Sequence, residues 1–287
     1  MATKRKAVNE KICNSISEFT TSVEDLLRAN THPAVGNWYR GIGSVKYTLT
    51  PSLFRHPQNK SIEELMQLEA TMLQDFERSS ILHSEKMSSS DEDGRMRTLF
   101  IMQHYGIPTR LLDWTPNPFI SLYFALTSAS PDNRGVYQTD AAVWVLDPVK
   151  WNRSALEFQN HGDSGPLVHS DALEGYAPRA FRSGGFGSTA IKSLQLYPSC
   201  LYGITNNARM FAQRGVFTIF GRNVESMERQ FATGSFPAES LTKIIIPSGK
   251  IAEILAMLLK LGYTDSVTYP DLPGLAMEIK RYHGFRV

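Results

Sequence analysis

Four short runs of β-branched, aromatic and aliphatic residues constrain this fold most: Trp38–Ile42, Ala142–Leu146, Val216–Phe220 and Lys243–Ile246. Each is bounded by turn residues and is too short for a stable helix, so each reads as a strand. They lie far apart in the chain, with helical periodicity between them. Strands separated in this way pair only through non-local contacts, and the intervening helices must cover the sheet they form. The expected fold is a single α+β domain with a mixed or antiparallel central sheet flanked by helices.

The helical stretches carry their own start and stop signals. Thr21–Glu24 and Ser61–Glu64 have the spacing of capping boxes, in which a hydroxyl and a carboxylate satisfy two free N–H groups. The first predicts a short helix reaching about Ala29. The second opens a helix on which Ile62, Leu65, Met66, Leu73 and Phe76 share one face. Arg95 to Tyr105 reads as a helix closed by Gly106, and Pro116 and Pro118 open an apolar helix running to about Ser128. Asn206 to Arg214 is expected to be helical, with Gly215 as the break into the next strand. Ser248 caps a helix over Ile251–Leu261 that stops at Gly262. The polar stretch Ser84–Asp93 and the glycine-rich stretch Asn160–Thr189 read as loops.

Composition excludes several classes of function. Hydrophobic residues make up 42% and charged residues 20%, which suits a large buried core. Lys and Arg number 30 against 28 Asp and Glu, and a net charge of +2 gives no wholesale attraction to nucleic acid or anionic lipid. The basic start Met1–Lys6 is not followed by the apolar stretch that a secretory signal needs. The apolar runs near Phe119–Ala125 and Ile251–Leu261 fall short of the roughly 20 residues that cross a bilayer. A soluble, cytoplasmic protein with no membrane partner is expected. Cys13 and Cys200 lack metal-ligand spacing, as do His56, His83, His161, His169 and His283, so no metal is expected.

Three stretches concentrate residues that are costly to bury and useful in a site: Trp38–Gly41, Gln103–Thr115 and Arg209–Phe217. Each joins a helix or loop to a strand and combines aromatic rings, polar groups and a glycine that permits close backbone approach. These residues resemble the FRG family, named for an aromatic-Arg-Gly motif that is Tyr39-Arg40-Gly41 here. The pattern continues through Leu49–Arg55, the segment QHYGIPTRLLDWT at 103–115, Asn117-Pro118, Ser121–Ala125, and Gln213-x-Gly215-x-Phe217. A tail of Gly262-Tyr263-Thr264 with Tyr269–Ala276 also resembles family members, so the resemblance spans roughly residues 15–282. Residues 1–14 are then expected to form a flexible basic tail and residues 15–287 the FRG domain. The resemblance implies an intracellular effector, a bacterial or phage-borne toxin or an anti-phage defence protein.

The order of the motifs is similar to that of ADP-ribosyltransferases. Those enzymes hold NAD with an Arg or His on a first strand, shape the nicotinamide pocket from a middle element, and place Glu, Asp or Gln at the start of a later strand. Here Arg40 lies on the first strand, Tyr123 in the middle segment, and Gln213 just before Val216–Phe220. This likeness makes Arg40, His104, Asp113 and Gln213 the candidate catalytic residues. Tyr39, Arg40, Gly41, Tyr105, Thr109, Arg110 and Tyr123 are the candidates for holding the cofactor, NAD. Gln213 cannot stabilise positive charge on ribose as a carboxylate does, and Asp113, Glu225 or Glu228 could supply one.

Each candidate also has a structural reading. Arg40 can bridge a buried carboxylate such as Asp113, and Arg110 and Asp113 have the spacing of an internal salt bridge. His104 suits a general base or a bond to helix-end carbonyls. Gln213 can bond backbone, and Tyr105, Trp114, Tyr123 and Phe124 can be core. Two other functions compete: a hydrolytic, nuclease-like toxin using His104, Arg110 and Asp113, and a non-catalytic module binding a nucleotide or a protein. The partners expected are a protein or nucleic-acid target, a phage component or a cognate defence protein.

Overall fold

The computed structural model describes residues 6–80, 92–156, 165–168, 175–181, 183–203, 215–285 and 287. The expected loop at 84–93 falls largely outside these residues, as do part of the 160–189 stretch and all of the helix expected over 206–214.

The described residues form a single α+β domain built on two sheets. The larger is mixed. Strand β1 (Asn9–Ile12) pairs parallel with β7 (Leu241–Ile246). Strand β7 pairs antiparallel with β4 (Ala141–Leu146), and β4 with β2 (Trp38–Ile42). The smaller sheet is antiparallel, in the order β3 (Leu111–Trp114), β6 (Val216–Ile219), β5 (Ser199–Tyr202). Three of the expected strands therefore share one sheet, while Val216–Ile219 belongs to the other. Strand β1 lies inside the segment expected to be a tail. Its polar sequence NEKI gives no burial signal, and it is a strand because β7 offers it a free edge.

Strand β4 is buried along its whole length because both faces of the larger sheet are covered. On one face, Tyr39, Val143 and Val145 pack with α1 (Ile16–Arg28), α4 (Pro118–Thr127) and α8 (Ile251–Lys260), through Phe19, Leu122, Leu126 and Ile254. On the other, Trp38, Trp144 and Leu146 meet Leu112, Trp114 and Phe217 of the smaller sheet and Phe231 of α7 (Met227–Thr233). Helices α2 (Ile62–Ser80) and α3 (Glu92–His104) pack beyond the smaller sheet, and α5 (Pro148–Ala155) and α6 (Ser188–Lys192) complete the cover. Two short helices, α9 (Asp265–Thr268) and α10 (Leu272–Tyr282), close the chain.

The caps explain where two helices start. At Ser61 the expected box forms: Glu64 N–H donates to Ser61 Oγ at 3.3 Å, and Ser61 N–H donates to Glu64 Oε2 at 2.6 Å. Helix α1 starts earlier than Thr21, at a second box of the same type. Glu18 N–H donates to the Ser15 hydroxyl at 3.2 Å, and Asn14 N–H to Glu18 Oε2 at 2.8 Å.

Candidate functional site

Among the described residues, one backbone bridge joins the two sheets. Tyr39 N–H donates to the Thr115 carbonyl at 2.7 Å, and Thr115 N–H returns a bond to Tyr39 at 2.9 Å. Past this point β2 and β3 separate. Side chains and carbonyls alternate along a strand, so Asp113 presents its carbonyl on the same edge as Thr115 and needs a partner there. Arg40 supplies it: its Nη1 donates to the Asp113 carbonyl at 2.5 Å. The split is held open on its other side by α4, whose approach requires glycine. A Cβ on Gly41 would lie 1.9 Å from the Ser121 carbonyl oxygen and 2.5 Å from Ala125 N.

A cleft of about 360 Å3 occupies this split. Arg40, Gln103, His104 and Asp113 give it a polar side, and Phe100, Phe124, Phe217 and Tyr269 an aromatic one. Its polar side is fixed by a chain of bonds. The Thr109 hydroxyl donates to Gln103 Oε1 at 2.5 Å, and Gln103 Nε2 donates to Asp113 Oδ2 at 2.7 Å. Arg40 Nη1 lies 3.7 Å from the same carboxylate oxygen. The Asp113 side chain is 56% exposed and that of Arg40 is 24% exposed, so the carboxylate is accessible while the guanidinium forms part of the wall. Desolvation in that wall holds Arg40 below its ordinary value. Asp113 opposes the shift and the charge of Arg55 adds to it.

The other candidates go to different places. Tyr39 and Gly41 line the cleft with Arg40. Arg110 does not, and its partner is not Asp113. Its Nε donates to both oxygens of Glu69 at 3.0 Å, Nη1 donates to the Phe220 carbonyl at 3.0 Å, and Nη2 donates to the Tyr176 carbonyl. The alternation of β3 explains this. Arg110 precedes the strand and points into the core, whereas Asp113 faces the split. Burial pushes the Glu69 carboxyl up, with Arg110 pulling against it. Thr109 is buried beneath the cleft wall, and Tyr105 is exposed beyond it. Tyr123 is buried and its hydroxyl donates to Asp265 Oδ1 at 2.6 Å, leaving its neighbour Phe124 to line the cleft. Glu228 accepts the Leu49 N–H at 3.1 Å, and neither it nor Glu225 lines the cleft. Gln213 lies outside the described residues.

Several contributors escape sequence reasoning. Gln103 was visible as the first residue of its segment, but its role depends on Thr109 and Asp113 folding back beside it. Phe100 reaches the cleft from a helix position that carries no motif, and Tyr269, part of the family-like tail, gives no sign in sequence that it reaches the cleft. Glu69 looks like one more charge on an amphipathic helix, and only its burial on α2 marks it. Among the described residues, no group of three or more His, Cys, Asp or Glu is arranged to hold a metal.

Residues 36–134 match the FRG domain family, about a third of the chain. That stretch holds β2, α2, α3, β3 and α4 and so contributes most of the cleft; Gly215, Phe217 and Tyr269 come from outside it. No curated protein and no solved structure matches the chain. No helix among the described residues is long and apolar enough to cross a membrane.

Proposed function

We propose that the cleft binds NAD and breaks its nicotinamide–ribose bond, making the protein an ADP-ribosyltransferase-like effector of the toxin or anti-phage defence type. The observation that carries this reading is the shared cleft of an accessible carboxylate, Asp113, a guanidinium, Arg40, and an aromatic wall. Its volume of about 360 Å3 is within the usual range of small-molecule pockets, roughly 300–1,000 Å3.

Each group has a role in the reaction. The nicotinamide packs against Phe124 and its aromatic neighbours. Arg40 offers a rigid fork of charged donors to phosphate or ribose. As the C–N bond breaks, its electron pair leaves with neutral nicotinamide and positive charge develops on the ribose, which Asp113 faces. An acceptor then bonds to the ribose carbon and gives up a proton, which we assign to His104. A carboxylate about 4 Å from that charge stabilises it by about 1–4 kcal/mol, between the water limit and the near-surface value. This corresponds to roughly 5- to 1,000-fold in rate.

A binding-only reading is favoured by one observation: Arg40 already donates to the Asp113 carbonyl, which commits one of its donors. Calorimetric titration with NAD separates protein that engages the dinucleotide from protein that does not. The wild type is expected to bind and Arg40→Ala to lose binding while keeping a cooperative thermal transition. Absence of NAD binding at millimolar concentration refutes the proposal.

A further inference from the structure

We propose that Arg55 is the second half of an anion site at this cleft, taking with Arg40 the phosphates of a nucleoside diphosphate whose base packs on the aromatic wall. This assignment rests on the nucleotide reading given above and extends it to a residue outside the cleft lining.

Arg55 closes a single 3₁₀ turn, Ser52–Arg55, that is bound to the segment leading into β3. Thr109 N–H donates to Ser52 Oγ at 3.1 Å, the Ser52 hydroxyl donates to the Thr109 carbonyl at 3.3 Å, and Leu53 N–H donates to the same carbonyl at 3.0 Å. Phe54 anchors the turn from below, edge-on to Phe220 with ring centres 5.7 Å apart. Side chains at i and i+3 eclipse in a 3₁₀ helix, so Arg55 leaves the turn from the face on which Ser52 meets Thr109. Thr109 is in turn one hydrogen bond from Gln103 in the cleft wall. The turn that carries Arg55 is therefore tied to the Gln103–Asp113 wall of the cleft.

Its surroundings fit an anion. Arg55 is exposed, and among the described residues its side chain has no hydrogen-bond or ion-pair partner. It is close enough for its charge to act on Arg40. Asp113 offsets only one of the two guanidinium charges, so the rim keeps a net positive charge. Two like charges held together repel, and an anion bridging them turns that repulsion into paired, charge-assisted hydrogen bonds. A ligand with two phosphates can meet both guanidinium groups while its ribose stays beside Asp113.

The test is calorimetry with three probes, ADP-ribose, inorganic pyrophosphate and nicotinamide, on wild type and Arg55→Gln, with thermal melts as a folding control. Wild type is expected to bind all three, the two anions more weakly as salt rises. Arg55→Gln should weaken both anions about 10-fold, the loss of one charge-assisted contact, and leave nicotinamide affinity and melting temperature unchanged. Equal affinity of the two proteins for ADP-ribose, or an equal loss for all three probes, overturns the role of Arg55. Wild type that binds nicotinamide but neither anion also overturns it, while leaving the base-binding reading intact. Binding of the anions that depends on Arg55, without nicotinamide binding, keeps the anion site and removes that reading. Binding of no probe overturns both.

Discussion

Glu69, which pairs with Arg110 of the QHYGIPTRLLDWT segment, and Asp113 within that segment should respond to neutralisation in different ways. Glu69→Gln keeps side-chain volume and one acceptor oxygen, so the variant isolates the loss of charge opposite Arg110. The two side chains are 1% and 3% exposed, leaving the guanidinium no route to water. Removing one member of such a buried pair costs about 3–5 kcal/mol. At about 2 °C per kcal/mol for a chain of this size, the melting temperature should fall by about 6–10 °C. Asp113→Asn is a different perturbation, because that side chain is 56% exposed and its contact with Arg40 is long, at 3.7 Å. An accessible pair of this kind contributes about 0–1 kcal/mol, so the expected loss is under about 2 °C. Scanning calorimetry on both variants, with NAD titrated well below the transition, gives the comparison. Glu69→Gln should lose stability and keep ligand affinity. Asp113→Asn should keep stability and, in a separate assay, release nicotinamide roughly 5- to 1,000-fold more slowly. Equal losses of melting temperature would refute the division between core pair and cleft carboxylate.

Two further outcomes follow from the packing. Gly41→Ala forces its Cβ against the Ser121 carbonyl, so α4 must move off β2. Thermal denaturation should show a loss of about 1–3 kcal/mol, and ligand affinity should fall because Ser121 and Phe124 move with the helix. The second concerns Asp265, which binds Arg281 at 2.8 and 3.0 Å and accepts the Tyr123 hydroxyl. Burial raises its carboxyl, but those bonds and the Arg281 charge outweigh it, so its folded pKa lies below the ordinary value. Its stabilisation is thus present above the unfolded pKa of about 3.9 and is lost as pH falls through the folded value. Wild type should exceed Asp265→Asn by about 1.5–3 kcal/mol at pH 7, and the gap should close in acid. A gap independent of pH would show that the carboxylate charge is not what holds α9 and α10.

The parts of this fold legible in the sequence are those whose signals are local. Strands β2, β4 and β7 are dense in β-branched and aromatic residues, and α2 and α4 announce themselves by a capping box and by prolines. Strand β3 was not legible. Asp113 interrupts its apolar pattern, and Leu111–Trp114 is extended because β6 pairs with it across a long separation in sequence. The same limit governs the site. Arg40, His104 and Asp113 stood out by residue type and motif, and they line one cleft. The sequence offers Asp113 two partners, Arg40 and Arg110, and the spacing of Arg110 and Asp113 makes a pair only if the segment is helical. As a strand with a buried start, it sends Arg110 to Glu69 and leaves Asp113 to Arg40. Tyr123 and Phe124 show how one position of helical phase decides between core and cleft wall.

Nicotinamide release tests the central claim most directly. Purified protein is incubated with NAD and a cell lysate supplying acceptors, and free nicotinamide is measured by chromatography. Wild type should release nicotinamide, Arg40→Ala should release none while still melting cooperatively, and Asp113→Asn should be slower by roughly 5- to 1,000-fold, the range expected for losing a carboxylate about 4 Å from the developing charge. Wild type releasing no nicotinamide under these conditions, or Asp113→Asn releasing it at the wild-type rate, would contradict the account.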